Sequence, residues 1–306
     1  MVRPPVAILV GPTAVGKTGV ALELAGSLGA EIVNADSLQV YRELDIGTAK
    51  PTAQERALLP HHLVDVAAPD EPYDAARYCR EGREVLAGLH RRGVPPLVVG
   101  GTGLYIKALL SGLFEQESIS GVVREKISRE LAALGPALLH ARLARLDPLT
   151  AARLHPHDAY RILRALETLE AGGRPLALLH QGHGFQDSPY RCLKLGLALP
   201  REELYARIHQ RVEVMLAAGW LAEVEGLLAR YAPDLKPLKA LGYRPLIAYL
   251  TGRWPGKEAL ELLRRDTRRY AKRQLTWFRA DPAVRWFHPG EIPAMTALLR
   301  EFFHLS

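Results

Sequence analysis

The residues best suited to chemistry lie near the start of the chain, in GPTAVGKT from Gly11 to Thr18. The segment fits G-x-x-x-x-G-K-[ST] at every fixed position. Ala7–Val10 before it reads as a buried strand, and Val20–Gly29 after it carries apolar residues at helical spacing. A loop of this kind wraps an anion with backbone N–H groups and a helix N-terminus. Gly11, Pro12, Thr13, Ala14, Val15, Gly16, Lys17 and Thr18 are therefore the candidate phosphate or diphosphate cradle. Lys17 supplies a point charge to a terminal phosphate, and the Thr18 hydroxyl a ligand for Mg2+. An ordinary glycine-rich turn would leave Lys17 and the glycines unexplained.

Binding ATP or GTP for hydrolysis normally needs an acid at the end of a later apolar strand. Here the later strand, in Pro95–Tyr105, runs into Gly100-Gly101-Thr102-Gly103 without a carboxylate. An acid comes earlier. Glu31–Ala35 suits a second strand, which puts Asp36 and Ser37 at its carboxyl end, where ligands collect in open α/β sheets. Asp36 is thus expected to face the phosphate loop across the crevice. A helix cap and a plain strand-to-helix turn are the competing readings of Asp36 and of the GGTG segment.

Four strands must position these groups, at 6–10, 31–35, 96–100 and within Arg191–Leu199. They alternate with helical segments, which predicts an α/β fold: a P-loop NTPase-like parallel sheet with helices on both faces. Residues 117–194 break the alternation with helical periodicity and no convincing strand, as in PALLHARLARL and YRILRALETLEAG. They are expected to form an inserted all-helical domain between the two parts of the core, 1–116 and 195–306. The His61–His62 pair and His155/His157 are assigned structural roles, because adjacent side chains diverge and no third ligand is suitably spaced.

With 306 residues and 48% apolar content, the chain can bury one sizeable core and a smaller satellite. No stretch approaches the roughly 18 apolar residues of a membrane span, and Met1–Pro5 is no signal peptide. Cys79 and Cys192 lack CxxC spacing, so neither a disulfide framework nor a zinc site is indicated. A soluble, cytoplasmic protein without a membrane partner is expected. The total charge of +7 is uneven: residues 1–116 carry −2, 117–194 carry +3, and 195–306 carry +6. Arg264, Arg265, Arg268, Arg269, Lys272, Arg273 and Arg279 lie close together with only Asp266 against them. A solvated helix face accounts for some of these. A basic second half joined to a phosphate domain also suits a polyanion too large for the pocket.

The order of the motifs resembles the tRNA dimethylallyltransferase (IPP transferase) family. The resemblance is carried by GPTAVGKT, NADSLQVYRELDIGTAKPT, HHLVDV, VGGTGLY, DAYRILRALE, LPREELYARIHQRVEVML, LGYR and YAKRQLTWFR, in family order. Val15 stands where the family usually has a small residue, and Pro245 after LGYR also departs from its pattern. Glu115–Val123 matches poorly and leaves the domain hinge undefined. The resemblance implies transfer of a dimethylallyl group from dimethylallyl diphosphate, with Mg2+, to the N6 amine of the adenine 3′ to the anticodon. The tRNAs implied are those reading codons that begin with U, and the protein is expected to act as a monomer.

For that reaction Asp36 is the candidate general base, and Thr102 the hydrogen-bond donor to the bridging oxygen. Lys17 and Arg211 stabilise the departing diphosphate, with Arg207, four residues away on the same helix face, as second choice. Surface pairing with Glu203 or Glu213 is the bland alternative for these arginines. Contacts to the tRNA anticodon stem-loop are expected from Asp36, Ser37, Leu38, Gln39 and Thr102. Arg124 and Tyr160, Arg161, Ile162, Leu163 and Arg164 complete the expected RNA surface, and the Arg264–Arg279 helix grips phosphates. Prenylation of free AMP or ADP, a nucleoside kinase or ATPase, and a non-catalytic RNA-binding module are the competing functions. The first fits poorly with the large basic half, the second lacks its later acid, and the third leaves the loop facing Asp36 without a purpose.

Overall fold

The computed structural model describes residues 3–112, 120–172, 175 and 188–305. The chain divides into two units, Met1–Leu110 with Pro189–Ser306, and Ser111–Ser188. The first boundary expected from sequence, between 116 and 117, lies outside the described residues, as does Glu115–Ile119 of the undefined hinge. The second moves: 194/195 was expected, but Arg191–Lys194 already belongs to a strand paired with the first strand of the sheet.

Six parallel strands form the sheet of the first unit, in the order β3-β2-β4-β1-β5-β6. They are β1 Pro5–Val10, β2 Glu31–Asn34, β3 His61–His62, β4 Pro96–Gly100, β5 Arg191–Leu197 and β6 Val284–Phe287. Side chains of β1 alternate between two cores. Val6, Ile8 and Val10 enter one, with Leu86, Leu109 and Tyr243, while Ala7 and Leu9 enter the other, with Leu24, Ile208 and Met295. Burial on both faces is why β1, β2 and β4 read as apolar runs rather than alternating patterns. Strands β3 and β6 went unpredicted. Two histidines carry no periodicity, and VRWF is only four residues, one of them an exposed arginine.

Local rules set the helix ends nearest the site. Helix α1, Lys17–Leu28, starts after Gly16 at φ 101 and ends at Gly29 at φ 59. Both conformations are left-handed and suit glycine. Helix α2 is Ala53–Leu58, α3 Ala75–Arg91, and α4, Gly103–Ser111, leaves β4 directly.

The described part of the second unit is helical: α5 Gly121–Leu146, α6 Pro148–Ala151 and α7 Ala159–Gly172. Helix α5 breaks at Gly135 (φ 76, ψ 166), just before Pro136. The break divides it where proline would remove a helical donor. Ile127, Leu139, Leu143, Ile162, Ala165 and Leu166 make its core. Back in the first unit, α8 Arg201–Ala217, α9 Trp220–Leu228, α10 Tyr243–Leu250, α11 Gly256–Arg279 and α12 Ile292–Phe303 follow β5.

Candidate active site

Strands β2, β4 and β1 are neighbours, so their carboxyl ends lie side by side at roughly 4.8 Å spacing. Val10 is in register with Gly100, and Asn34 with Val99. The three segments singled out in the sequence (the loop after Val10, Asp36 after β2, and GGTG after β4) therefore converge on one edge. Gly100 permits this. A Cβ there would stand 2.2 Å from the Ala35 carbonyl oxygen, so only glycine lets β2 and β4 close to this distance.

The loop rises through Gly11 and turns at Ala14 (φ 65) and Gly16 (φ 101) into α1. The Lys17 ammonium donates to the carbonyls of Gly11 (3.0 Å) and Pro12 (2.9 Å), folding back over the cradle. Two of the cradle residues expected from sequence offer no amide to an anion. Pro12 has no N–H, and the Thr13 N–H is already donated to Gln274 Oε1 at 2.8 Å. The cradle amides not so engaged are those of Gly11 and of Ala14 to Thr18. Val15 is buried as a side chain and contributes through its backbone.

The two oxygens of the Asp36 carboxylate are placed differently. Oδ1 accepts from the amides of Leu38 (2.9 Å) and Gln39 (3.4 Å), which is the capping role weighed against catalysis. Oδ2 has no hydrogen-bond partner among the described residues. Thr102 joins the two strand ends: its Oγ1 accepts from the Ser37 amide at 3.0 Å and donates to Ser37 Oγ at 3.3 Å, while its own N–H donates to the Ala35 carbonyl at 3.1 Å. A cavity of about 50 Å³ lies here, lined by Lys17, Thr18, Asn34, Asp36, Gln39 and His61 among others.

The two arginines of α8 separate. Arg207 pairs with Glu203 at 2.9 Å and reaches the Val15 carbonyl at 3.5 Å, so the second choice is the one engaged in surface pairing. Arg211 has no ion-pair partner among the described residues; Glu213 pairs with Arg264 instead. Burial lowers the Arg211 guanidinium from its usual range, and Asp36 opposes that shift. Lys17 is lowered to about 8, by burial first and Arg211 second, with Asp36 opposing. Lys17, Arg211 and Asp36 thus share one electrostatic site, which sequence motifs place together only by inference.

Helix α11 brings residues that the sequence reading missed. Gln274 is 5% exposed; its Oε1 holds the Thr13 amide, and its Nε2 donates to the Gly101 carbonyl at 3.0 Å. A Cβ on Gly101 would meet that Nε2 at 2.1 Å, and one on Gly103 would meet Trp277 Nε1 at 2.1 Å. The phenol of Tyr270 is raised by burial and then by Asp36, while hydrogen bonds to Thr102 and Gln274 oppose the shift. The i, i+4 spacing of Tyr270 and Gln274 was a signal, hidden within a basic run that reads as surface. His61, assigned a structural role from sequence, lies at the edge of the same site. Its Nδ1 lies 2.8 Å from the Leu59 carbonyl, and the ring lines the cavity with burial holding it toward neutral. His62 pairs with Glu31 at 2.7 Å.

The residues expected to touch RNA fall on both units. On the helical unit Tyr160 is 74% exposed, Arg124 and Arg161 are exposed, and Arg161 pairs with Asp158 at 2.8 Å. Ile162 corrects the expectation: its side chain is fully buried in the helical core and cannot reach RNA. Arg164 is tied to buried Glu167 at 2.6 Å, and Leu163 is half-buried against the same core. His155 and His157 stand with ring centroids 5.4 Å apart, both exposed. In the first unit a cleft of about 180 Å³ is lined by Lys239, Leu241, Arg244, Asp266, Arg269 and Arg273.

Fold and site define an α/β enzyme of P-loop type, with a carboxylate, Asp36, just after β2 and none at the end of β4. Comparison with known proteins narrows the class. The IPP transferase family matches residues 39–281, and the isopentenyl transferase family residues 4–60. The tRNA dimethylallyltransferase of Syntrophobacter fumaroxidans is 52% identical over 97% of this chain and 87% of that protein. That of Geobacter sulfurreducens is 49% identical over 97% and 96%. The full-length tRNA isopentenylpyrophosphate transferase of Bacillus halodurans superposes with a TM-score of 0.74 at 35% identity, covering 99% of this chain and 97% of that one. A eukaryotic dimethylallyltransferase acting on tRNA gives a TM-score of 0.81 at 27% identity, over 97% and 77%. The chain belongs to the IPP transferase family.

Proposed function

We infer that this chain transfers the dimethylallyl group of dimethylallyl diphosphate to the exocyclic N6 amine of a tRNA adenine, the one 3′ to the anticodon, and releases diphosphate. The observation that carries the reading is the convergence of phosphate loop, Asp36 and Thr102 on three adjacent strand ends. An exocyclic adenine amine is a weak nucleophile, so the allylic carbon must be activated by departure of its leaving group. The N6 lone pair forms the new N–C bond while the C–O bond to the diphosphate breaks, its electron pair leaving with the oxygen. Amides from Ala14 to Thr18, Lys17 and Arg211 meet the charge that develops there. Thr102 redirects its hydroxyl proton from Ser37 Oγ toward the bridging oxygen. Asp36 accepts the N6 proton through the oxygen not engaged by Leu38 and Gln39.

The Thr18 hydroxyl, lining the cavity, fits Mg2+, which takes few protein ligands and completes its shell with phosphate and water. When bound, the ion would neutralise diphosphate charge. A flipped-out adenine requires a single-stranded loop, and exposed Tyr160, Arg161 and Arg124 supply stacking and charge for it. The Lys239/Arg244/Arg269/Arg273 cleft supplies charge for backbone phosphates. No helix among the described residues is long and apolar enough to cross a membrane. We take the working protein as a cytoplasmic monomer, which sedimentation with and without tRNA tests.

Incubation with unmodified tRNA, radiolabelled dimethylallyl diphosphate and Mg2+, with free AMP and Lys17→Ala alongside, tests the reaction. Label is expected in tRNA, absent from AMP and lost in the variant. Label in AMP alone, or ATP consumption without label, overturns it.

A further inference from the structure

The chain between Asp36 and Lys50 has little regular structure, yet it is fastened at an unusual point. Three successive amides, those of Asp45 (2.9 Å), Ile46 (2.6 Å) and Gly47 (3.1 Å), donate to the carboxylate of Glu223 in the first turn of α9. Tyr243 of α10 donates its hydroxyl to the same carboxylate at 2.8 Å. Gly47 makes the approach possible, since a Cβ there would meet Trp220 Nε1 at 2.1 Å and the Tyr243 hydroxyl at 2.6 Å. Consecutive amides converging on an anion make a strong, oriented contact.

From this anchor the contacts run toward the reacting centre. The next two carbonyls, Thr48 and Ala49, both accept from Gln39 Nε2 at 3.1 Å, with Ala49 at φ 46. The Gln39 amide in turn donates to Asp36 Oδ1, beside that of Leu38. Lys50, 7% exposed, closes the far end by donating to the Tyr41 carbonyl at 2.8 Å and pairing with Asp65 at 2.6 Å.

We propose that Glu223 is a positioning residue for prenyl transfer: through the amides of Asp45–Gly47 and the side chain of Gln39, it fixes the turn that aims the Asp36 carboxylate. The inference rests on the reading of Asp36 as the base. It assigns to a carboxylate 187 positions away in sequence a part in the rate, without contact with either substrate. Displacement of a reacting group by about 1 Å costs up to about a hundredfold in rate, so loosening this turn slows chemistry while leaving diphosphate binding to the other strand end.

Glu223→Gln preserves shape but turns one accepting oxygen toward the amides into a donor. Gln39→Met cuts the middle of the relay and leaves the anchor intact. Both are measured by single-turnover transfer to tRNA, by the KM for dimethylallyl diphosphate and by amide hydrogen exchange in the full chain. Glu223→Gln is expected to speed exchange at Asp45–Gly47 and also at Leu38 and Gln39. The transfer rate should fall about tenfold, with KM within about twofold. Gln39→Met should lose rate similarly with Asp45–Gly47 still protected, and the double variant should be no slower than Gln39→Met alone, because the two act in series. Exchange that changes only at Asp45–Gly47, a rate within about twofold of wild type, or losses that multiply in the double variant would overturn the proposal. Should Glu223→Gln lose its fold, Gln39→Met and Tyr243→Phe carry the same comparison. Asp36→Asn, run in parallel, separates the two readings: turnover retained there removes the base assignment, whereas failure of the relay leaves it standing.

Discussion

Lys17 and Arg211 place two positive charges on one half-buried site, where desolvation lowers both and the arginine further lowers the lysine. Burial is the larger cause of the drop of Lys17 to about 8, and repulsion by Arg211 is the second. Asp36 opposes the shift at both cations. A site built this way suits an anion, as does the left-handed turn at Gly16 that starts α1 beneath it.

The pairing sets a pH dependence. Lys17 must be a cation to hold the diphosphate, so kcat/KM for dimethylallyl diphosphate should fall as pH rises through about 8, where the free enzyme loses that proton. Bound diphosphate favours the charged form, so kcat at saturation should stay level to higher pH. Arg211→Gln removes the repulsion and should move the basic limb upward, while lowering kcat by about 10²–10³, as loss of one donor to a developing oxyanion does. Profiles of both constants from pH 6 to about 10 check this; a limb that stays in place in the variant contradicts the assignment.

Asp36→Asn should lower turnover by about 10²–10⁴, the usual worth of a general base. Its tRNA affinity should stay within a few fold, because the asparagine oxygen still caps Leu38. Thr102→Val should reduce kcat with little change in either KM. Turnover retained in Asp36→Asn would remove the base assignment.

Gln274→Met leaves the Thr13 amide and the Gly101 carbonyl without their partner. Each orphaned buried group costs about 1–3 kcal/mol, so the thermal midpoint should fall by several degrees. The KM for dimethylallyl diphosphate should rise, since the loop and the GGTG turn are no longer tied together. Calorimetry with steady-state kinetics decides; an unchanged KM with a lowered midpoint would reduce Gln274 to a purely structural link.

Arg269→Ala and Arg273→Ala should each weaken tRNA binding across all tRNAs. Each should also flatten the plot of log K against log salt by about one unit. Tyr160→Ala should cost about 1–3 kcal/mol of binding with the salt slope unchanged, as expected for a base-stacking contact. Filter binding between low and physiological salt separates the two behaviours.

How much of this was legible in the sequence varies by residue. GPTAVGKT is a local motif: its glycines, lysine and threonine act through backbone conformation and a helix start, both written in neighbouring residues. β1, β2 and β4 were legible because strands buried on both faces read as apolar runs, and β5 because its leucines alternate before a buried end. Asp36 and Thr102 could be placed because ligands gather at strand ends. His61–His62 and Val284–Phe287 pair only because a sheet edge already exists beside them, and Ile162 sits in a motif whose inward face the motif does not reveal.

Tertiary structure alone decided the rest. It paired Arg207 with Glu203 while leaving Arg211 without an ion-pair partner among the described residues, carried Gln274 to the phosphate loop across 261 positions, and set Glu223 under the Asp45–Gly47 amides. The sequence by itself determined the family, the parallel sheet and the phosphate loop, because these follow from local conformation and periodic burial. Which distant side chain satisfies which buried amide depends on how helices pack after the sheet has formed. No local pattern in the chain records that choice.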